Sequence, residues 1–310
     1  MHSTRPPLVR TIRRLAAPAA MLVLAGSALA WQSRDFPPGG PPTTQPDRPP
    51  AETPPRPIAP GQPGQPGQPG EGLPSREAQF IANIERAHGA AAFKPKQAIR
   101  ADLNITFGGE PIVVGTLIYE MSTGRSRIEL ESGETLVFDG ELAWVAPADS
   151  AFDMARFHLR TWPYFLTAPF KLDDPGTRLE MVGLQTLNLK MCEAAHLSFE
   201  ADVGDSPEDW YYICADPRTY QLAGLVYIVT YHKSVVDANH DPRAIVYSGY
   251  TTVDGVKLST VWNFYRWDAD RGTYGPPEGR GRINNIEFIV PEDGAFAQPP
   301  GARQDTRPAR

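Results

Sequence analysis

Cysteine is nearly absent from this 310-residue chain, which has only Cys192 and Cys214 and no Cys-x-x-Cys pair. That spacing excludes zinc knuckles and a thioredoxin-type redox motif. Basic clusters are missing too: Lys and Arg number 30 against 36 Asp and Glu, and none of them group beyond residue 30. Nucleic acid demands clustered cations against its phosphates, so it is excluded as a partner. The only long apolar run, Leu15 to Ala30, is shorter than the roughly twenty residues of a bilayer span. No Gly-x-Ser-x-Gly elbow occurs, and nowhere do strand and helix patterns alternate as in a parallel sheet.

What is abundant is proline, and it is unevenly spread. Of 33 prolines, 15 fall in residues 31–74, where apolar residues are scarce. Such a tract cannot bury enough apolar surface to offset chain entropy and is expected to be a disordered spacer. Its three Gly-Gln-Pro repeats from Gly61 to Pro69 are far too few for a collagen helix. Ahead of it, Arg5, Arg10, Arg13 and Arg14 precede the apolar run, which ends on Ala28-Leu29-Ala30. This is the pattern of an export signal over residues 1–30, cleaved before Trp31, with an uncleaved membrane anchor as the alternative. Its removal takes the formal net charge from −6 to −10, with 26 basic residues left against 36 acidic. The expected organisation is signal 1–30, spacer 31–74, one folded domain 75–298 and a disordered tail 299–310. In an oxidising compartment the two cysteines read as a disulfide. They flank a turn at Val203 to Pro207 and would sit nearly opposite in a hairpin, a bridge stabilising by roughly 3 kcal/mol.

The first ordered element is a helix from Ser75 to His88, capped by Ser75 and ended by Gly89, with Phe80, Ile81, Ile84 and Ala87 on one face. From Gln97 to Val145 short alternating runs separated by Gly-rich turns predict an antiparallel meander. Residues 149–170 break this pattern. Phe152, Ala155, Leu159, Trp162, Tyr164 and Phe165 suit one or two helices, broken near Pro163 and Pro169. Strands resume at 178–187, 189–201, 210–215 and 221–231. Asp254-Gly255 then predicts a two-residue hairpin pairing Thr251 with Leu258, Tyr247 with Trp262 and Ile245 with Phe264 on an apolar face. The opposite, more polar face takes Thr252 with Lys257, Tyr250 with Ser259 and Val246 with Asn263. A last strand spans 282–290. The fold class is therefore α+β and mainly antiparallel β.

Catalytic signals are weak. His158, His196, His232 and His240 are candidate bases, but none has a nucleophile at a recognisable spacing, so surface or capping roles are expected. Asp237-Ala238-Asn239-His240-Asp241 begins like a calcium loop, yet Pro242 and Ser248 stand where glycine and glutamate are needed. No metal and no cofactor is expected.

The element order and the stretches YFLTAPFKLDDPG, EDWYYICADPRTYQLAGLVYIV, YSGYTTVDGVKLSTVWNFYRW and NNIEFIVPEDGAFAQPP resemble an exported bacterial branch of the LolA/LolB-like lipoprotein-carrier superfamily. The resemblance spans about Arg76 to Pro300. It implies a curved, incomplete β-barrel with an N-terminal helix and a helical lid, whose hollow binds acyl chains or other apolar ligands without catalysis. It assigns a lining role to Trp162, Tyr164, Phe165 and Phe170 in the insert and to Tyr247, Trp262 and Phe264 in the hairpin. The implied partners are a lipid or an acylated protein, with peripheral association to the envelope, periplasmic or secreted. The alternative function is an envelope scaffold or sensor that holds a protein segment; a hydrolase fits less well.

Overall fold

The computed structural model describes residues 74–306. The expected export signal and, but for Pro74, the expected spacer lie outside the described residues. No helix among the described residues is long and apolar enough to cross a membrane.

Helix α1 covers Arg76–His88. The Ser75 hydroxyl accepts from the Ala78 N–H at 3.1 Å, and Gly89 closes the helix at φ 80°. A Cβ on Gly89 would lie 2.1 Å from the Gly255 carbonyl oxygen, so only glycine lets the helix end rest on that β-turn. A short α2, Ala90–Phe93, follows.

The strands are β1 Ala98–Phe107, β2 Glu110–Glu120, β3 Ser126–Leu130, β4 Thr135–Phe138, β5 Ala143–Ala146, β6 Thr177–Leu187 and β7 Lys190–Phe199. They continue with β8 Tyr211–Ala215, β9 Leu222–Tyr227, β10 Arg243–Val253, β11 Val256–Asp268, β12 Gly272–Ile289 and β13 Arg303–Asp305. All thirteen join one sheet in the order β13-β5-β4-β3-β2-β1-β12-β11-β10-β9-β8-β7-β6. Its two ends do not pair, so the sheet is a half-barrel, as expected. Its inner face buries Ile99, Leu103, Leu117, Ile128, Leu197, Leu225, Ile245 and Trp262 against α1 and helix α3, Ala155–Thr167. Neighbouring positions Ala194, Cys214, Val226 and Ala244 point the other way, into a small cluster covered by Leu187 and Trp267.

The β10–β11 register matches the expected one pair for pair. One side chain departs from it. Tyr250, expected on the polar face, packs against His88 at 5.6 Å and donates its hydroxyl to the Leu222 carbonyl. The preceding Gly249 has φ 63°, a left-handed residue inside an otherwise unbroken register. Strand β12 starts ten residues earlier than its pattern suggested. Two glycines of that hidden part sit where partner side chains occupy the space of the missing Cβ atoms: the Phe107 ring over Gly279, and Ile105 and Trp262 over Gly281.

Three other expectations are corrected. The insert is not broken at Pro163: α3 runs through it and a 3₁₀ turn, Ala168–Phe170, follows. Proline removes the N–H that would bond the Leu159 carbonyl, and the Ser126 hydroxyl donates to that oxygen instead at 2.7 Å. The segment expected to be a loose tail from residue 299 is ordered through residue 306, with β13 on β5 and the Asp305 carboxylate accepting from the Arg156 backbone N–H at 2.8 Å. Finally, Cys192 and Cys214 are free thiols, both buried. The β7–β8 pairing sets Glu193 opposite Ala215 and Ala194 opposite Cys214. The turn is thus centred on 204 rather than 203, which leaves the two cysteines two residues out of step.

Candidate ligand-binding site

Helix α3 has two working faces. Ala155, Leu159, Trp162 and Leu166 face the sheet and are buried. Phe157, Arg160, Thr161 and Tyr164, at helical spacing, line a cavity of about 360 Å³. The facing wall is Phe199 of β7, Tyr211 of β8, Tyr231 and the β7–β8 loop from Val203 to Asp209. Tyr119 at the end of β2, with Lys171, Asp174 and Thr177, completes it. Rings dominate this lining: Tyr164 and Tyr211 lie 5.3 Å apart, Phe157 and Tyr231 5.3 Å, and Phe199 and Tyr211 5.9 Å.

Most charges on the wall are neutralised within the protein. Lys171 pairs with Asp174 at 3.2 Å. Burial opposes its charge, but Tyr119 and Asp174 outweigh burial and hold it above the usual lysine range. Arg156 grips Asp205 through two bonds of 2.7 and 2.9 Å, reaches the Glu141 carbonyl at 2.6 Å, and lies over the Phe138 ring. It therefore clasps the β7–β8 loop to the β4–β5 turn. Arg160 stacks its guanidinium on the same ring at 4.9 Å. Asp209 differs: its Oδ1 accepts from the Thr230 N–H and hydroxyl, each at 2.7 Å, both neutral donors. Burial pushes its carboxyl up to about 6 despite those bonds. Burial, then the charges of Asp174 and Asp209, likewise push the Tyr164 phenol well up, so it stays neutral.

Of the residues expected to line a hollow, Tyr164 and Phe165 border this cavity. Tyr247 donates its hydroxyl to the Phe165 carbonyl at 2.9 Å and borders a second space of only about 10 Å³. Trp162, Phe170, Trp262 and Phe264 sit in the packed core, with Phe170 stacked on Phe93 at 3.9 Å. Sequence reasoning missed Phe157, Phe199, Tyr211, Tyr231 and Asp209. The 157-160-161-164 stripe was readable as a second helix face, but the strand residues opposite it depend on long-range pairing.

His158, expected at the surface, is buried; burial pushes it down to about 4, and its Nδ1 accepts from the Trp162 indole at 3.1 Å. Asp237 to Asp241 form the end of helix α4, Val235–Asn239, and the turn after it, where Asp241 pairs with Lys233 and Arg243. No cluster of three or more metal-ligating side chains occurs among the described residues.

No family model matches the sequence, and no curated protein matches it either. Solved structures do overlap with the fold. A LolA superfamily protein of Nitrosomonas europaea aligns with a TM-score of 0.47 at 5% identity, covering 71% of this chain and 96% of its own. The likeness is to LolA superfamily proteins. A domain from Vibrio parahaemolyticus assigned to outer membrane lipoprotein sorting gives 0.46 at 6% identity, covering 71% and 97%. A DUF1329 family protein of Desulfovibrio piger gives 0.43 at 10% identity, covering 70% and 94%. In this half-barrel the cavity lies between α3 and the β6–β8 side of the open sheet.

Proposed function

We propose that this chain is an exported, non-catalytic protein of the cell envelope that binds a ligand with an apolar tail, a lipid or the acyl chain of a lipoprotein, in the cavity under α3. The observation that carries the reading is a 360 Å³ space walled by Phe157, Tyr164, Phe165, Phe199, Tyr211 and Tyr231 beneath a helical cover. A space of this size is in the range of small-molecule sites, and each methylene buried there contributes about 0.8 kcal/mol. The pattern of residues 1–30 supports export. Saturable binding of the neutral fluorescent probe N-phenyl-1-naphthylamine is expected, weakened at least about tenfold by Thr161→Trp, which fills the space from α3. A wild-type protein that neither binds the probe saturably nor co-purifies with lipid sinks the reading.

A second reading, a scaffold for a protein segment, has one observation in its favour. Strand β6 is an edge of eleven residues, and Val182, Leu184, Leu189 and Met191 near its end are exposed. An extended peptide can add to such an edge. A partner captured from delipidated envelope extract by the wild type, and lost with Leu184→Lys, would move the assignment there.

A further inference from the structure

Resting on the cavity reading above, we infer that the bound ligand is an amphiphile with a cationic amine head, and that Asp209, which shares the cavity lining with Tyr164 and Tyr211, is the head's seat. Three observations converge on this. Asp209 lines the cavity, and no Lys, Arg or His among the described residues forms a salt bridge with it, whereas the other two lining carboxylates, Asp174 and Asp205, are ion-paired with Lys171 and Arg156. Its orientation is fixed before any ligand arrives, because both donors of Thr230 converge on Oδ1 and its own N–H bonds the Ser206 carbonyl at 3.0 Å. That leaves Oδ2 as the acceptor available to a ligand. Tyr164 and Tyr211 share the lining with it and feel its charge, and burial holds both neutral, so no second anion competes for a cationic head there.

A carboxylate in a partly desolvated aromatic pocket is costly to charge alone and gains most from an ammonium partner. The groups around it are Glu208 on its own loop, Tyr164 from α3, Tyr211 and Tyr227 from β8 and β9, and Thr230. Glu208 raises its proton affinity further, and no cation lowers it. Elsewhere on the wall Lys171 is already engaged by Asp174 and Tyr119, which leaves Arg160, its guanidinium over Phe138, as the cation an anionic head would have to reach.

The test is competition against N-phenyl-1-naphthylamine at pH 7.5 by dodecylamine, dodecanoate and dodecanol, each below its aggregation limit. Dodecylamine is expected to compete at least about tenfold better than dodecanoate. That preference should fade as pH drops through 6, and Asp209→Asn should cancel it while leaving dodecanol unchanged. Glu208→Gln, which removes a charge from the same loop outside the site, should keep the preference. Equal or better competition by dodecanoate, or an Asp209→Asn protein that still prefers the amine, overturns this inference and leaves the cavity reading standing. Failure of all three compounds and of the probe overturns both.

Discussion

Ser126 is a small residue with a large effect. It is fully buried, and its hydroxyl takes the place of the N–H that Pro163 lacks. Removing that hydroxyl strands a buried carbonyl, which costs about 1–3 kcal/mol. Ser126→Ala is therefore expected to lower the urea midpoint with the slope unchanged. Adding Pro163→Ala restores a backbone donor and should recover much of the loss; a double variant no better than the single one would refute the substitution logic. This also shows why α3 was only partly legible: a proline in a helix reads as a break unless its replacement donor, 37 positions upstream, is known. The thiols teach the same lesson at another residue. A turn centre displaced by one position moves Cys192 two positions along β7, so the two thiols meet diagonally, as hydrogen-bond partners, where spacing alone set them directly opposite.

Among the elements, the hairpin β10–β11 was legible because its instructions are local. Asp254 and Gly255 both adopt positive φ, 49° and 83°, and a two-residue turn fixes every pair that follows. The β7–β8 loop carries no such instruction; its place over the cavity is set by Arg156, which is distant in sequence and joins it to the β4–β5 turn. Both side chains of the Arg156–Asp205 pair are about one-tenth exposed, so breaking it should cost on the order of 3 kcal/mol. Arg156→Met is expected to raise amide exchange across residues 203–209 and to speed probe release, with α1 and the β10–β11 hairpin unaffected. Unchanged exchange in that loop would show that Arg156 does not hold it. The chain after residue 299 was misread for a similar reason, since its proline and glycine say nothing about the Asp305 bond to α3 that orders it.

The whole molecule should be sensitive to acid because of two neutral histidines. His88 donates from Nδ1 to the Lys257 carbonyl at 2.8 Å and accepts at Nε2 from the Leu222 N–H at 2.9 Å, which fixes the tautomer and leaves no lone pair for a proton. Burial pushes both His88 and His158 from about 6.5 to about 4. Between those values the unfolded chain binds more protons than the folded one, so stability falls as pH drops from 6.5 to 4, by up to about 3 kcal/mol for each ring. Asp209 works the other way, its share fading as pH rises through 6, but it is one half-buried group against two rings. Melting temperatures measured from pH 7.5 to 4.5 should decline, and less steeply in His158→Gln; a flat profile would contradict neutral burial. At this scale the sheet order has a consequence of its own. Strands β1 to β5 and β6 to β12 are two separate meanders, and β1 and β12 form the seam that stitches one to the other, Ala98 meeting Ile289. The seam cannot close until nearly the last residue is available, and non-local pairing of that kind is slow. A nascent chain must therefore carry its first meander with β1 as a raw edge until β12 arrives to cover it.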